Sequence, residues 1–274
     1  MLINGIMNNH IDATDRGLAY ADGLFSTVKV EYGQVIDWGL HLQRFKLGAA
    51  RLFFPEIDWP LLEQEVISMA DTVKQYPHYV LKVILTRGSG GRGYSAQNCM
   101  SPLRIITLSE FPEFYLTWQK EGISIVQCTT VLGRNKQLAG LKSLARLEQV
   151  LIKQELTSLQ AVEGIVCDEL GHVIEGCSAN LFIYLKGKWL TPKLDYCGVA
   201  GVMRARILNN QFINVSEKEL TLEDIDAASC LCLTNALMGI VPVKQFQNKV
   251  YSQEQLQKVT ELQAVLNKEV LDND

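Results

Sequence analysis

The first third of the chain shows both strand-like and helix-like spacing of apolar residues. Residues 24–30 and 34–38 ("LFSTVKV" and "QVIDW") are strand-like runs on either side of the turn "EYGQ", which predicts a β-hairpin. Residues 40–53 and 59–75 repeat apolar residues at helical spacing, and the second run follows an aspartate cap and has a proline in its first turn. Two buried strands, "YVLKVILTRG" and "RIITLSEF", are expected to follow.

The second half begins with a strand-like run, "ISIVQCTTV", which is followed by a stripe of leucines. Leu141, Leu144, Leu147 and Leu151 recur at three- and four-residue steps, which predicts an amphipathic helix with Lys142 at its beginning. Further strands are expected in "VEGIVCD", "HVIEG", "NLFIYLKGKWLTP", "CLCLTNAL" and "IVPVKQF". Further helices are expected in "GVMRARILNNQF", "LEDIDAA" and "SQEQLQKVTELQAVLNKEV".

The order of these elements predicts an α+β protein with two unequal lobes. Strands and helices do not alternate regularly, and the sequence has no internal repeat. We predict a smaller N-terminal α/β lobe at residues 1–113, a linker at residues 114–121, and a larger C-terminal lobe at residues 122–274 that carries Lys142.

Composition and charge argue against several functional classes. Of the 274 residues, 47% are hydrophobic and 20% are charged, as in ordinary globular proteins. A net charge of -4 argues against a nucleic-acid surface, which needs a basic stripe. No run approaches the roughly 18 apolar residues of a membrane span, and the start lacks a secretory signal pattern. We therefore expect a cytoplasmic protein without a nucleic-acid or membrane partner.

The cysteines and histidines do not predict a metal site. The seven cysteines form no CxxC pair, and the four histidines lie far apart without metal-ligand spacing. The cysteines are expected to be small buried residues of a reducing compartment.

Two glycine-containing segments are candidates for anion binding. Residues 87–95 ("RGSGGRGYS") match the GxGxxG pattern only weakly, because no helix is expected after them, and a mobile loop is the simpler interpretation. Arg87, Arg92 and Tyr94 nevertheless place two guanidinium groups and a phenol on glycine hinges, which suits a carboxylate. Gly201 precedes a helix whose first N–H groups could approach a phosphate, although such helix starts are common.

Lys142 and Glu175 are each typical of surface residues when considered alone. Considered together with the helix after Gly201 and with an arginine in the N-terminal lobe, they form a more specific set. An amine, a carboxylate and a phosphate-binding helix start are the groups that an aldehyde cofactor bearing a phosphate requires.

Seven short motifs, in this order, resemble those of the fold-type IV pyridoxal-phosphate enzymes. The motifs are "DGLFSTVKV", "HLQRF", "TRGSGGRGYS", "GLKSL", "EGCSANLF", "GVMR" and "TNAL". This group includes branched-chain aminotransferases, D-amino acid aminotransferases and aminodeoxychorismate lyases. Within it the chain is most similar to the bacterial aminodeoxychorismate lyases, through "RGSGGRGYS", "LGRNKQLAGLK", "RLEQVLI" and "NALMGIVPV". The resemblance implies a D-amino acid aminotransferase-like fold and pyridoxal 5'-phosphate as cofactor.

The resemblance also implies roles for individual residues. Lys142 matches the lysine that holds the cofactor aldehyde covalently and then acts as the catalytic base. Glu175 matches the carboxylate that pairs with the pyridine nitrogen. The phosphate contacts of the family match Arg44, Val202, Met203 and Asn235.

Substrate contacts are implied at four further positions. In related D-amino acid aminotransferases the glycine loop reaches the neighbouring subunit's site, and its carboxylate-binding positions match Arg92 and Tyr94. The family is homodimeric, so a homodimer is expected here. Phe25 and Thr27 are candidate pocket-wall residues, although Phe25 is equally compatible with a core position.

The activity implied is that of an aminodeoxychorismate lyase, which converts 4-amino-4-deoxychorismate to p-aminobenzoate and pyruvate. The alternatives are a D-amino acid or branched-chain aminotransferase and, in a different class, a non-catalytic binding protein on the same fold. Arg134 is a candidate for positive charge that would help Lys142 act as a base. Ala145 departs from relatives that often have asparagine there, which weakens any expectation of polar support near the lysine.

Overall fold

The computed structural model describes residues 1–272, which form two compact units. Unit 1 comprises Met1–Pro112 and Leu141–Arg146, and unit 2 comprises Glu113–Gly140 together with the described chain from Leu147 onward. Each unit combines helices with a largely antiparallel sheet, so the predicted α+β class is confirmed. Within the described residues, no helix combines the length and apolar character that a membrane crossing requires.

Unit 1 contains a six-stranded antiparallel sheet in the order β2-β1-β6-β5-β3-β4. Its elements are β1 (Leu2–Ile3), β2 (Ile6–Met7), α1 (Arg16–Tyr20), β3 (Gly23–Glu31), β4 (Gln34–Val35), α2 (Trp38–Arg51), α3 (Trp59–Asp71), β5 (Tyr79–Thr86) and β6 (Leu103–Glu110). The predicted hairpin, both helices and both later strands are therefore present. Helix α3 begins as expected, because the Asp58 carboxylate accepts a hydrogen bond of 2.9 Å from Leu61 N.

One face of this sheet packs against helices α2 and α3. Alternation along β3 buries Leu24, Ser26, Val28 and Val30, and these positions face the same core as Phe45 of α2. Each fully buried aliphatic side chain stabilises the unit by roughly 1.5–3 kcal/mol. The intervening β3 positions, which include Phe25 and Thr27, are half-buried and lie on the other face of the sheet.

Unit 2 contains a nine-stranded mixed sheet in the order β12-β11-β10-β13-β14-β7-β8-β9, with β15 paired to β14. Its elements are α4 (Phe114–Glu121), β7 (Ile123–Gln127), α5 (Leu147–Ser158), β8 (Gly164–Cys167), β9 (Val173–Gly176), β10 (Asn180–Leu185), β11 (Lys188–Pro192), α6 (Val202–Asn209), β12 (Val215–Lys218), α7 (Leu222–Ala227), β13 (Cys230–Asn235), β14 (Gly239–Phe246), β15 (Lys249–Val250) and α8 (Gln253–Asp272). The β7–β14, β7–β8 and β11–β12 pairs are parallel, and the other pairs are antiparallel.

The segment predicted as a linker is instead a helix. Residues 114–121 form α4, and Tyr115 and Trp118 of this helix pack against the main core of unit 2. These two aromatic residues are three positions apart, so they lie on the same side of the helix. The partial burial of that side explains why the segment forms a packed helix and not a simple connection.

The predicted helix around Lys142 is wrong at its beginning. Helix α5 starts only at Leu147, and residues 141–146 belong to unit 1, not to the unit that contains most of the predicted C-terminal lobe. The reason is backbone pairing with β3: Phe25 N donates to Lys142 O at 3.0 Å, and Leu144 N donates to Gly23 O at 3.0 Å. Extended pairing of this kind excludes helical hydrogen bonds in the same segment.

Candidate active site

Lys142 is fixed beside strand β3 by the two backbone hydrogen bonds described above. Its side chain is half-buried, and its Nζ lies 4.5 Å from the centre of the Phe25 ring, within range of a cation–π contact. The Nζ of Lys82 lies 5.5 Å from the centre of the same ring. Two ammonium groups therefore lie near one aromatic ring on the face of the sheet that carries Thr27, and Lys82 is the cross-strand neighbour of Thr27.

Arg44 is held by a buried pair of side chains from β3 and α2. Its Nη2 donates to Ser26 Oγ at 2.6 Å, and the same oxygen lies 2.6 Å from Nδ1 of His41. The hydroxyl of Ser26 therefore links the guanidinium of Arg44 to the imidazole of His41.

Charge and burial in this group favour the neutral form of His41. Burial, followed by the positive charges of Arg44 and Lys142, holds the pKa of His41 well below its ordinary value of 6.5. Burial also lowers the pKa of Arg44 to about 10, so the guanidinium remains cationic at neutral pH. The arrangement provides a fixed cation suited to a phosphate or carboxylate.

A pH dependence of stability follows from the neutral His41. Because its folded pKa lies below its unfolded pKa, its contribution is fully present above pH 6.5 and is lost as the pH falls below that value. We expect this single proton to lower the free energy of unfolding by about 1.4 kcal/mol per pH unit below 6.5. Urea unfolding at about pH 7.5 and about pH 5.5 should show a smaller loss for His41→Gln than for the unchanged protein. Equal losses in the two proteins would contradict the assignment.

In unit 2, Glu175 lies at the buried end of strand β9. Its side chain is 4% exposed, and its Oε2 accepts a hydrogen bond of 2.8 Å from Val199 N. Val199 O in turn accepts a 2.8 Å hydrogen bond from Nδ2 of Asn180, the first residue of β10. The carboxylate is therefore fixed by the backbone of the segment that leads to α6.

The turn after Glu175 is organised by a second buried carboxylate, that of Glu163. Its oxygens accept hydrogen bonds of 2.8 Å from Cys177 N and from Ser178 N, and a short one from Ser178 Oγ. Ser178 O then accepts from Asn235 Nδ2 at 3.2 Å, while Asn235 Oδ1 accepts from Leu237 N and Met238 N. This network joins the turn to the end of strand β13, where Asn235 is the last residue.

Helix α6 begins directly after Gly201, as predicted. Val202 and Met203 are its first two residues, so their backbone N–H groups lack partners within the helix. A Cβ atom on Gly201 would lie 2.0 Å from Asn180 Oδ1, so a larger residue would have to displace the Asn180 side chain from its hydrogen bond to Val199 O. The positive end of the helix dipole is therefore next to the backbone of Gly201 and the side-chain amide of Asn180.

Each unit carries groups that suit a part of pyridoxal phosphate chemically. A phosphate dianion is bound by cations and by N–H donors: unit 1 has a fixed cation in Arg44, and unit 2 has N–H donors in the first turn of α6. A pyridinium nitrogen needs a buried carboxylate, which Glu175 provides. An aldehyde needs an amine, which Lys142 provides.

The glycine loop carries Arg92 and Tyr94 with their side chains exposed. Arg87, at the start of the loop, differs from these two residues because its guanidinium group is bound to protein acceptors. Its Nε donates to Asp22 at 2.7 Å, and its two terminal nitrogens donate to Phe53 O and Leu52 O at 2.8 and 2.6 Å. The next regular element after the loop is strand β6 and not a helix, as the sequence predicted.

Two further sequence expectations are modified by the structure. Arg134 forms a short ion pair with Asp168, and its Cζ lies 3.8 Å from the centre of the Tyr196 ring. Its charge is therefore compensated within unit 2, which removes the reason to assign it as the activating cation for Lys142. Ala145 is exposed, so asparagine would gain no buried polar partner there.

Several residues of these networks were not predicted from the sequence, namely Ser26, His41, Lys82 and Glu163. Strand alternation could have placed Lys82 on the Thr27 face once the pairing of β3 with β5 was known. The contacts of the other three depend on partners that no local pattern identifies.

Comparison with known proteins places these features in a family. The model of the class IV amino-transferase family matches residues 23–246. The chain is 36% identical over 244 residues to aminodeoxychorismate lyase of Vibrio harveyi, covering 88% of this chain and 89% of that protein. It is 27% identical over 260 residues to a putative branched-chain-amino-acid aminotransferase of Methanocaldococcus jannaschii, covering 91% and 87%. The crystal structure of 4-amino-4-deoxychorismate lyase from Pseudomonas aeruginosa superposes with a TM-score of 0.90 at 34% identity, covering 97% of each chain.

Proposed function

Because the chain belongs to the class IV amino-transferase family, we propose that it is a pyridoxal-phosphate-dependent aminodeoxychorismate lyase. It would convert 4-amino-4-deoxychorismate to p-aminobenzoate and pyruvate, a step of folate biosynthesis. The observation that carries the proposal is the 36% identity to the Vibrio harveyi lyase over 88% of the chain. Seven unpaired, buried cysteines support a cytoplasmic location.

The cofactor contacts follow from the chemistry of the side chains. Lys142 is proposed to hold the cofactor covalently, and Glu175 to face its ring nitrogen. Arg44, the N–H groups of Val202 and Met203, and Asn235 are proposed to bind the phosphate. Support comes from the fixed guanidinium of Arg44 and from the buried carboxylate of Glu175, each of which has a defined hydrogen-bond partner.

When bound, pyridoxal phosphate withdraws electrons from the substrate carbon next to the amine. Glu175 favours the protonated ring nitrogen, because a nearby carboxylate stabilises a cation. The ε-amine of Lys142 removes the proton from C4 of the substrate. The C3–O bond then breaks, the ring becomes aromatic, and the departing enolpyruvyl group takes up a proton to give pyruvate.

The substrate carries two carboxylates, which require cationic or hydroxyl partners. Arg92 and Tyr94 on the glycine loop are proposed to bind one of them. Phe25 and Thr27 are proposed to form the pocket wall, and their position on the face of the sheet opposite the unit 1 core supports this role. The contact of Lys142 with the Phe25 ring supports it further.

A homodimer is proposed as the active form. On α5, Leu147, Val150 and Leu151 lie at i, i+3 and i+4 and are all exposed, so they form an apolar patch of the kind that a partner covers. Equilibrium sedimentation should give twice the chain mass. A stable monomer that turns over substrate would contradict the dimer proposal and leave the lyase proposal intact.

An aminotransferase acting on D- or branched-chain amino acids is the second candidate. The 27% identity to the Methanocaldococcus jannaschii protein favours it, but this identity is lower than that to the Vibrio harveyi lyase. A transaminase must return a proton to the cofactor and then bind a keto acid. The lyase needs no second substrate, because the amino group stays on the p-aminobenzoate product, and aromatisation makes the reaction one-way.

This difference provides the test. Holoenzyme incubated with 4-amino-4-deoxychorismate should release pyruvate without any added keto acid, and lactate dehydrogenase can follow the release continuously. Lys142→Ala is the matched blank. Release that depends on a keto acid would replace the lyase proposal with the aminotransferase.

A further inference from the structure

The apex of the glycine loop is held by a buried arginine outside the loop. Arg16 of α1 is only 4% exposed, and its Nη1 donates to Gly93 O at 2.9 Å and to Ser95 O at 3.2 Å. Its Nη2 donates to Tyr94 O at 3.1 Å. One guanidinium therefore binds three consecutive carbonyl groups, which fixes the backbone on both sides of Tyr94.

The same arginine is tied to the base of the loop through Asp22. The Oδ2 atom of Asp22 accepts from Arg16 Nε at 3.0 Å and from Arg87 Nε at 2.7 Å. Arg87 is itself fixed by the carbonyl groups of Leu52 and Phe53. The apex and the base of the loop thus share one carboxylate oxygen within unit 1.

The backbone of the loop has a shape that needs such support. Gly88 and Gly91 have positive φ angles of 82° and 72°, and a Cβ on either would lie 2.1 Å from a carbonyl oxygen, of Ser101 and Ser95 respectively. The loop therefore folds back on itself twice. Because glycine loses more conformational entropy than other residues when the backbone is ordered, the ordered shape of this glycine-rich loop depends on contacts with residues outside the loop.

The carbonyl groups of an exposed loop do not need a protein donor, because water can hydrate them. Burying a guanidinium is costly unless its donors are well satisfied. What Arg16 adds is a fixed geometry rather than satisfied hydrogen bonds alone. While the backbone is held from the inside, the side chain of Tyr94 remains 91% exposed, with its ring 5.7 Å from that of Tyr20.

We propose that Arg16 is a positioning residue for substrate binding: it holds residues 93–95 so that Arg92 and Tyr94 are presented to a carboxylate of the substrate. This inference rests on the proposed role of the loop in carboxylate binding. Arg16 does not touch the substrate itself. Its loss should therefore weaken substrate binding without changing the chemical step.

Steady-state kinetics of Arg16→Met and Arg16→Lys test the proposal. We expect Arg16→Met to raise KM for 4-amino-4-deoxychorismate by about tenfold or more, with kcat and the visible absorption of the bound cofactor unchanged within about twofold. Arg16→Lys keeps the charge beside Asp22 but lacks the planar guanidinium group. Its KM should therefore lie between that of the unchanged enzyme and that of Arg16→Met. Amide hydrogen exchange of residues 88–101 should be faster in both variants.

Arg104→Lys is the matched control. Arg104 also lies in unit 1 and forms a partly buried two-point pair with Glu65, at 2.8 and 2.7 Å. This variant should lose stability without a change in KM. An equal rise of KM in Arg104→Lys, or an unchanged KM in Arg16→Met, would overturn the proposal.

Arg92→Ala separates failure of this inference from failure of its premise. If Arg92→Ala raises KM and the Arg16 variants do not, the loop binds substrate but Arg16 does not position it. If Arg92→Ala leaves KM unchanged, the proposed carboxylate-binding role of the loop fails, and the inference about Arg16 fails with it. Absence of lyase turnover in the unchanged protein would refute the proposed function, while faster exchange in the Arg16 variants would still report the structural effect.

Discussion

Replacing Lys142 with alanine is expected to reduce turnover by at least about 1,000-fold, because the residue is proposed both to hold the cofactor and to act as base. The fold should be little affected. Its backbone bonds to β3 do not involve the side chain, and the lost contact with Phe25 is worth about 0.5–1 kcal/mol. The measurements are pyruvate release, visible absorption of the bound cofactor, and urea unfolding.

Chemical labelling identifies the amine independently of activity. Borohydride reduction of the holoenzyme should leave a pyridoxyl phosphate group on the peptide that contains Lys142. Lys74→Ala is the matched control, since Lys74 also lies in unit 1 but is exposed and forms a surface salt bridge with Asp71. A label on another peptide, or normal turnover in Lys142→Ala, would refute the assignment.

Much of unit 1 could be predicted from sequence because its signals are local. The alternation in β3 and the aspartate cap of α3 each lie within a few residues of the feature that they specify. The leucines from residue 141 onward led to a wrong prediction of the helix start, because they belong to two different segments. Leu141 is 4% exposed beside β3, whereas Leu147 is 79% exposed on α5. Pairing with residues more than a hundred positions away overrides the helical pattern, and no local pattern reports such pairing.

The candidate site shows the same division. Lys142, Glu175 and Arg44 could be named because short motifs carry them. The residues that fix them could not, because each acts on a partner from another element. Arg16 and Tyr94 are 78 positions apart in the sequence. Glu163 lies 15 positions before Ser178, whose turn it organises. These polar contacts depend on the final fold, and a motif gives residue types without their supporting partners.

Replacing Glu175 with glutamine is expected to lower kcat by about 100- to 1,000-fold. Glutamine has nearly the same shape, and its amide oxygen can still accept the hydrogen bond from Val199 N that Oε2 accepts at 2.8 Å. What is lost is the negative charge that favours a protonated ring nitrogen. The cofactor should therefore remain bound through Lys142 and the phosphate contacts, and visible absorption of the purified variant should show this.

A matched control comes from Glu155, another carboxylate of unit 2 that accepts backbone hydrogen bonds. Its oxygens accept from Thr129 N at 2.6 Å and from Thr130 N at 2.8 Å, and these bonds help to lower its pKa to about 2. Glu155→Gln should lower the free energy of unfolding, because it weakens charge-assisted hydrogen bonds, but it should leave kcat unchanged. Comparing the two variants separates the loss of a stabilising charge from the loss of a charge used in the reaction. A kcat in Glu175→Gln within about threefold of the unchanged enzyme would be far short of the effect expected for an electrostatic partner of the cofactor. It would mean that the carboxylate serves only to fix the segment around Val199.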